Sequence, residues 1–256
     1  DKMFLKGNIK ENIISYDLQV LDQKDVLQYE IAGTVNSIND ITQLSLNPNG
    51  LKLNYDDWTV NPENLIQLSD KGIMAKQFEI SNNGSKISVQ SENDIPNNPL
   101  NIDISNFKIE TITELIKKDS LLASGTINGK AQLKDLKNQL TFTSDLTVKE
   151  LGVFGSKVGD LALKVNNETV DKLNADVILT GFDNDLKING FYDTKQKAFD
   201  LLVDVNKLQM KSLQGFSMNM IDQAEGFISG DLKVTGTMDK PSILGDLKFN
   251  KVGLHV

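Results

Sequence analysis

The chain has 256 residues, 39% of them hydrophobic and 24% charged, and a net charge of −8 at neutral pH, which excludes both a disordered segment and a bundle of membrane helices. Arginine and cysteine are absent, which removes the bidentate contacts of nucleic-acid readers, disulfides and thiolate metal sites. No nucleic-acid partner is expected, and no run approaches the roughly 20 apolar residues of a membrane-spanning helix.

The apolar residues are chiefly Ile, Leu and Val at alternating positions, punctuated by Asn, Asp, Lys and Gly, which predicts an all-β fold. Residues 3–35 read as three strands, with Ile14, Tyr16, Leu18 and Val20 alternating, then Tyr29, Ile31, Gly33 and Val35. Short strands follow at 44–46, 51–55 and 58–60, parted by the turn sequences Asn47-Pro48-Asn49-Gly50 and Asp56-Asp57. Strands at 65–68, 73–75, 78–80 and 87–89 come next, the last two joined by Asn82-Asn83-Gly84, a strong hairpin signal. Residues 92–99, with Pro96 and Pro99, form the only stretch that looks like a boundary, and they are short enough to be a loop. Further strands are expected at 161–165, 173–179, 186–192 and 199–205. About twenty strands at ~4.8 Å spacing would extend some ~90 Å in a single row.

The last thirty residues carry the clearest alternation, Ile228, Leu232 and Val234, then Ile243, Leu247 and Phe249, with a six-residue connection at 236–241. Sliding the chain by 101 positions lays residues 102–153 on 203–254 without a gap, matching Gly125 to Gly226, Gly129 to Gly230 and Asp145 to Asp246. In both copies a short non-strand segment of a helical turn or two precedes the strands, 111–118 in one and 212–224 in the other, where Phe216, Met220 and Ala224 fall at i, i+4 and i+8. Repetition of a unit that cannot bury its own apolar face signals a stacked, quasi-one-dimensional architecture, so residues 1–256 are expected to be one continuous, repeat-built β segment. The period of two places Ile228, Leu232, Val234, Ile243, Leu247 and Phe249 on one face with Ile127, Ala131, Leu133, Phe142, Leu146 and Val148, because a one-residue slip would turn either set to solvent.

No set of residues suggests catalysis, a cofactor or a metal site. His255 stands alone at the end of the chain. Asp183-Asn184-Asp185 lacks the later ligands and the closing Glu of a calcium loop and reads as a hairpin tip. Asp56-Asp57-Trp58 could pair a carboxylate with an aromatic platform for a sugar, although paired acids in a turn are usually solvated. The glycines never form a phosphate-cradling GxGxxG, and the two N-x-S/T matches at Asn83 and Asn167 are short enough to arise by chance. No signal peptide opens the chain, so it is expected to begin within a longer protein or to have been trimmed.

The stretch Ser229 to Leu254, SGDLKVTGTMDKPSILGDLKFNKVGL, resembles the repeated signature of the TamB family of translocation and assembly modules, within the wider AsmA-like group. Gly230, Leu232, Val234, Gly236, Pro241, Gly245 and Leu247 carry the resemblance. Residues 53–66 are similar to the strand before that unit in the family's Bacteroidetes type, while the first copy departs from the signature with Asp135 and Leu140 in place of its Gly and Pro. The resemblance implies a long curved, mainly antiparallel sheet forming an open, taco-like apolar trough. It also implies a segment of an inner-membrane-anchored protein that crosses the periplasm, has no enzymatic activity and serves outer-membrane biogenesis. The implied partners are phospholipid acyl chains and an outer-membrane barrel of the Omp85 type, with membrane contact made by parts of the protein outside this segment. The alternative function is a scaffold that helps insert β-barrel proteins through an exposed strand edge.

Overall fold

The computed structural model describes residues 2–116, 122–169, 171–217, 220–221 and 223–255. Their strands belong to one antiparallel sheet of eighteen, slightly fewer than the sequence suggests. The chain divides into two compact units, Asp1–Phe107 with Lys130–Thr141, and Lys108–Gly129 with Phe142–Val256. Residues 92–99 are a connection inside the first unit, and the division falls beyond them at Phe107.

In the first unit β1 (Lys2–Lys10), β2 (Ile13–Leu21), β3 (Leu27–Ile38) and β4 (Ile41–Leu53) pair in succession. β4 then pairs with both β5 (Asp56–Val60) and β6 (Leu65–Ser69), and β6 with β7 (Gly72–Lys76). β8 (Phe78–Asn82) returns to β5 and leads through β9 (Ser85–Ser91) to β10 (Leu100–Lys108). The sequence predicts a turn at 47–50, but β4 runs straight through it. Its register steps from Gly33↔Leu46 to Ile31↔Leu51, so Asn47, Pro48, Asn49 and Gly50 bulge opposite Ala32. A bulge tolerates a proline because it leaves residues out of the ladder, and Leu46 and Leu51 keep to the same face on either side.

That face is sealed where the strands fold over it. Ile31, Leu51 and Trp58 stand in one row, and Val60, Ile80, Ile87 and Ile104 in another. Trp58 is 4% exposed and Val60 fully buried, packed with Leu51 and Phe107. The Trp58 and Phe107 rings lie 5.8 Å apart, tilted by 52°. Toward β1 the same face opens, and all nine residues of β1 are exposed, Met3, Leu5 and Ile9 among them.

In the second unit β12 (Thr141–Val153), β13 (Ser156–Asn166), β14 (Lys172–Gly181), β15 (Asn184–Asp193), β16 (Ala198–Gln209), β17 (Gln223–Thr237) and β18 (Pro241–His255) pair consecutively. β11 (Ala123–Lys134) precedes β12, and α1 (Glu110–Ile116) precedes β11. The predicted helical segment at 111–118 thus begins one residue early, and its last two residues lie outside the described ones. The segment expected at 212–224 is shorter than predicted: α2 (Met210–Gln214) and a 3₁₀ turn, Gly215–Ser217, end it. Phe216 and Met220 are exposed, while Ala224 is buried inside β17, so their i, i+4 spacing marks no helical face. The final hairpin is tighter than expected, with only residues 238–240 between the strands and the Lys240 amide donating to the Thr237 carbonyl.

Two bulges recur one repeat apart. The ladder skips between Val148 and Leu151 on β12, and between Glu225 and Phe227 where β17 faces β18. The left-handed residues at these places are Glu150 (φ 53°) and Lys251 (φ 50°). Each bulge closes on a glycine: a Cβ on Gly125 would lie 2.9 Å from the Lys149 carbonyl oxygen, and one on Gly226 would run into the Lys251 and Asn250 carbonyl oxygens. A bulge bends its strand and increases its twist. Where β17 meets β18 directly, Gly230 (φ 138°) leaves room for the Asp246 carbonyl oxygen that a Cβ would strike. Gly230→Ala is therefore expected to lose about 2 kcal/mol or more in urea unfolding, from backbone strain plus the clash. Gly155→Ala, at a turn with nothing within 4 Å of the added carbon, should lose only the strain of its positive φ, about 1 kcal/mol.

Candidate functional site

The consecutive registers of the second unit turn alternation along each strand into rows across the sheet. One row is Leu146, Leu163, Val177, Ile188, Val203, Leu232 and Gly245; the next is Val148, Leu161, Leu179, Leu186, Val205, Gly230 and Leu247. Val234 and Ile243 pair in the row on one side, Ile228 and Phe249 on the other. Seven strands at ~4.8 Å make this aliphatic face about 29 Å wide. The opposite face alternates charges, with Lys164 3.4 Å from Asp145 and Lys233 3.5 Å from Asp200.

Among the described residues no second sheet seals these rows. Leu146, Val148, Leu163, Ile188, Val203, Leu232 and Leu247 are half-buried, and on β18 Ile243 and Phe249 are 61% and 65% exposed. The second unit is thus an open apolar trough, as the alternation and the fold class predict. Of the twelve lining residues expected from sequence, the registers bring together Ile228, Leu232, Val234, Ile243, Leu247 and Phe249 with Leu146 and Val148. Phe142 follows on β12 at the same parity. Ile127 stands two residues from Gly129, whose missing side chain faces Leu146, and so belongs to this face as well. Ala131 and Leu133 lie in the part of β11 that belongs with the first unit, both half-buried.

One margin of the trough is closed by a device that strand alternation does not reveal. Val158, Leu179, Val205 and Leu208 are buried there, with Leu213 of α2 packed on them. Asn184 holds the helix in place: its amide donates to the Val158 carbonyl at 2.7 Å and to Ser212 Oγ at 2.8 Å, and its carbonyl oxygen accepts the Gln209 amide at 2.7 Å. Ser212 Oγ in turn donates to the Lys157 carbonyl at 3.0 Å. Asn184 opens β15 at the hairpin tip expected for Asp183-Asn184-Asp185, and its one sequence signal is a polar residue flanked by the turn and the alternating strand. The bulge on β12 is clamped similarly. Lys149 Nζ and the Glu150 amide each lie 2.8 Å from the Asp160 carboxylate, and both hydrogen bonds hold that carboxyl below its ordinary range.

The remaining candidates separate cleanly. Trp58 is no sugar platform, because its ring is packed inside the first unit, and Asp57 instead pairs with Lys52. His255 ends β18. Among the described residues no three acidic, histidine or cysteine side chains gather as a metal site, and no helix is long and apolar enough to cross a membrane. The chain matches no protein-family model, no curated protein and no solved structure.

Proposed function

We propose that this chain is part of a lipid conduit of the cell envelope, in which phospholipid acyl chains slide along the aliphatic trough of the second unit. The observation that carries the reading is the continuous face from β12 to β18, register-locked, apolar and half-exposed. Moving a lipid through water exposes its chains at about 0.8 kcal/mol per CH₂, on the order of 20 kcal/mol for two sixteen-carbon chains. An aliphatic trough removes most of that barrier. Because neighbouring rows repeat the same Leu, Ile and Val chemistry, no position holds the chain much more tightly than the next, which favours passage over storage. The resemblance of residues 229–254 to the TamB family supports the same reading and, with it, a periplasmic location and a role in outer-membrane biogenesis with an Omp85-type partner.

A photoreactive residue replacing Leu232 is expected to cross-link phospholipid in cells, and one replacing its outward neighbour Lys233 is not. Equal capture at both positions would remove the one-faced path. The nine exposed residues of β1 favour a second reading, a scaffold that offers this strand to a nascent barrel strand. On that reading gently purified protein carries no phospholipid in native mass spectrometry, whereas the conduit carries it.

A further inference from the structure

At the margin closed by α2 lies a cavity of about 580 Å³, lined by the start of β13 (Ser156, Lys157), the β14–β15 turn (Phe182), the end of β16 (Gln209) and α2 (Lys211, Gln214). Two lysines face it and, among the described residues, no carboxylate lines it, in a chain whose net charge is −8. Asp183, beside Phe182, is 3.5 Å from Lys207. Glu225 lines an adjoining cavity that shares Gln209, Lys211 and Gln214, but not this one. The walls are fixed from behind by the buried Asn184 and Ser212: Ser212 Oγ bonds the Lys157 carbonyl, and Asn184 bonds the Gln209 amide. The backbones carrying both cations are therefore held before any ligand arrives. Lys157 Nζ sits 5.2 Å from the centre of the Phe182 ring, which is 45% exposed and supplies an apolar wall.

From this geometry we infer that the cavity binds a phosphate group, with the two ammonium groups opposing its charge and the Gln209 and Gln214 side chains as further donors. This inference rests on the conduit reading for its biological source, the headgroup of an anionic phospholipid whose chains enter the trough. Free phosphate shares the chemistry. Point-charge lysines suit a phosphate that must be released again, since they hold it without the bidentate geometry of arginine.

The test uses the full chain and its Lys157→Gln/Lys211→Gln variant. The control is Lys195→Gln/Lys197→Gln, which makes the same charge change in the turn between β15 and β16. Binding of inorganic phosphate, short-chain phosphatidylglycerol and short-chain phosphatidylcholine is followed by calorimetry at two salt concentrations. The expected result is at least about tenfold weaker phosphatidylglycerol binding in the first variant, no change in the control, and weakening by salt. Binding of phosphatidylglycerol but not inorganic phosphate assigns the cavity to a lipid headgroup, and equal binding of both assigns it to free phosphate. If the first variant binds phosphatidylglycerol as the control does, or if neither anion binds the unaltered chain, the inference is overturned. Lipid cross-linking at position 232 is measured in the same variant: capture retained with cavity binding never present sinks the site alone, and capture absent in the unaltered chain sinks the conduit.

Discussion

Leu232→Asp is expected to fold and to stop carrying lipid. Leu232 is half-buried on the next-to-last strand of the aliphatic face, between Val203 and Gly245, so a carboxylate there still reaches water. The loss is the partial burial of one leucine, about 1–2 kcal/mol. On the proposed conduit reading, an acyl chain passing that point would have to cross a hydrated charge, which an aliphatic lining avoids. The contrast is Val205→Asp in the adjacent row, where the side chain is 4% exposed beneath α2. An unpaired carboxylate in that place should cost more than about 4 kcal/mol, a large part of the stability of an ordinary domain. Thermal melting and phospholipid cross-linking of both variants read the two effects separately. If Leu232→Asp melted normally and still captured lipid, the aliphatic face would not be the path; if it collapsed like Val205→Asp, the trough would be sealed.

Trp58→Ala is expected to give the largest loss of stability in the first unit, about 3–5 kcal/mol, because it empties the centre of a packed cluster. Trp58→Phe should cost far less than its lost area suggests. The indole Nε1–H is buried with no hydrogen-bond partner, so phenylalanine removes an unsatisfied donor as it removes surface. Urea unfolding followed by circular dichroism measures both, since the chain has no other tryptophan to report by fluorescence. A cost under about 1 kcal/mol for Trp58→Ala would contradict the sealed packing.

Trp58 and Leu232 also mark how far the sequence can be read. Both stand on alternating strands, and the alternation correctly places each on an apolar face. Whether that face is closed depends on partners distant in sequence: Ile80, Ile87, Ile104 and Phe107 fold over the row of Trp58, while among the described residues nothing comparable covers Leu232. Period two specifies a face but not its cover. The turn expected at 47–50 failed for a related reason, since Asn-Pro-Asn-Gly suits a bulge as well as a turn and the pairing of β3 with both halves of β4 decided between them. Asn184 was legible as a hairpin tip but not as the anchor of α2, because its partners Val158, Gln209 and Ser212 come together only in the folded unit.

The bulges at Glu150 and Lys251 have a consequence for how such a chain could grow. Each is made by a local backbone kink and one facing glycine, all within a single copy of the repeat, so a duplicated copy inherits its own bend. Whole copies can then be added or deleted without the remaining ones losing the residues that bend their strands. A gene for such a protein can be lengthened by tandem copying to suit a wider gap, without any residue of the existing copies having to adapt.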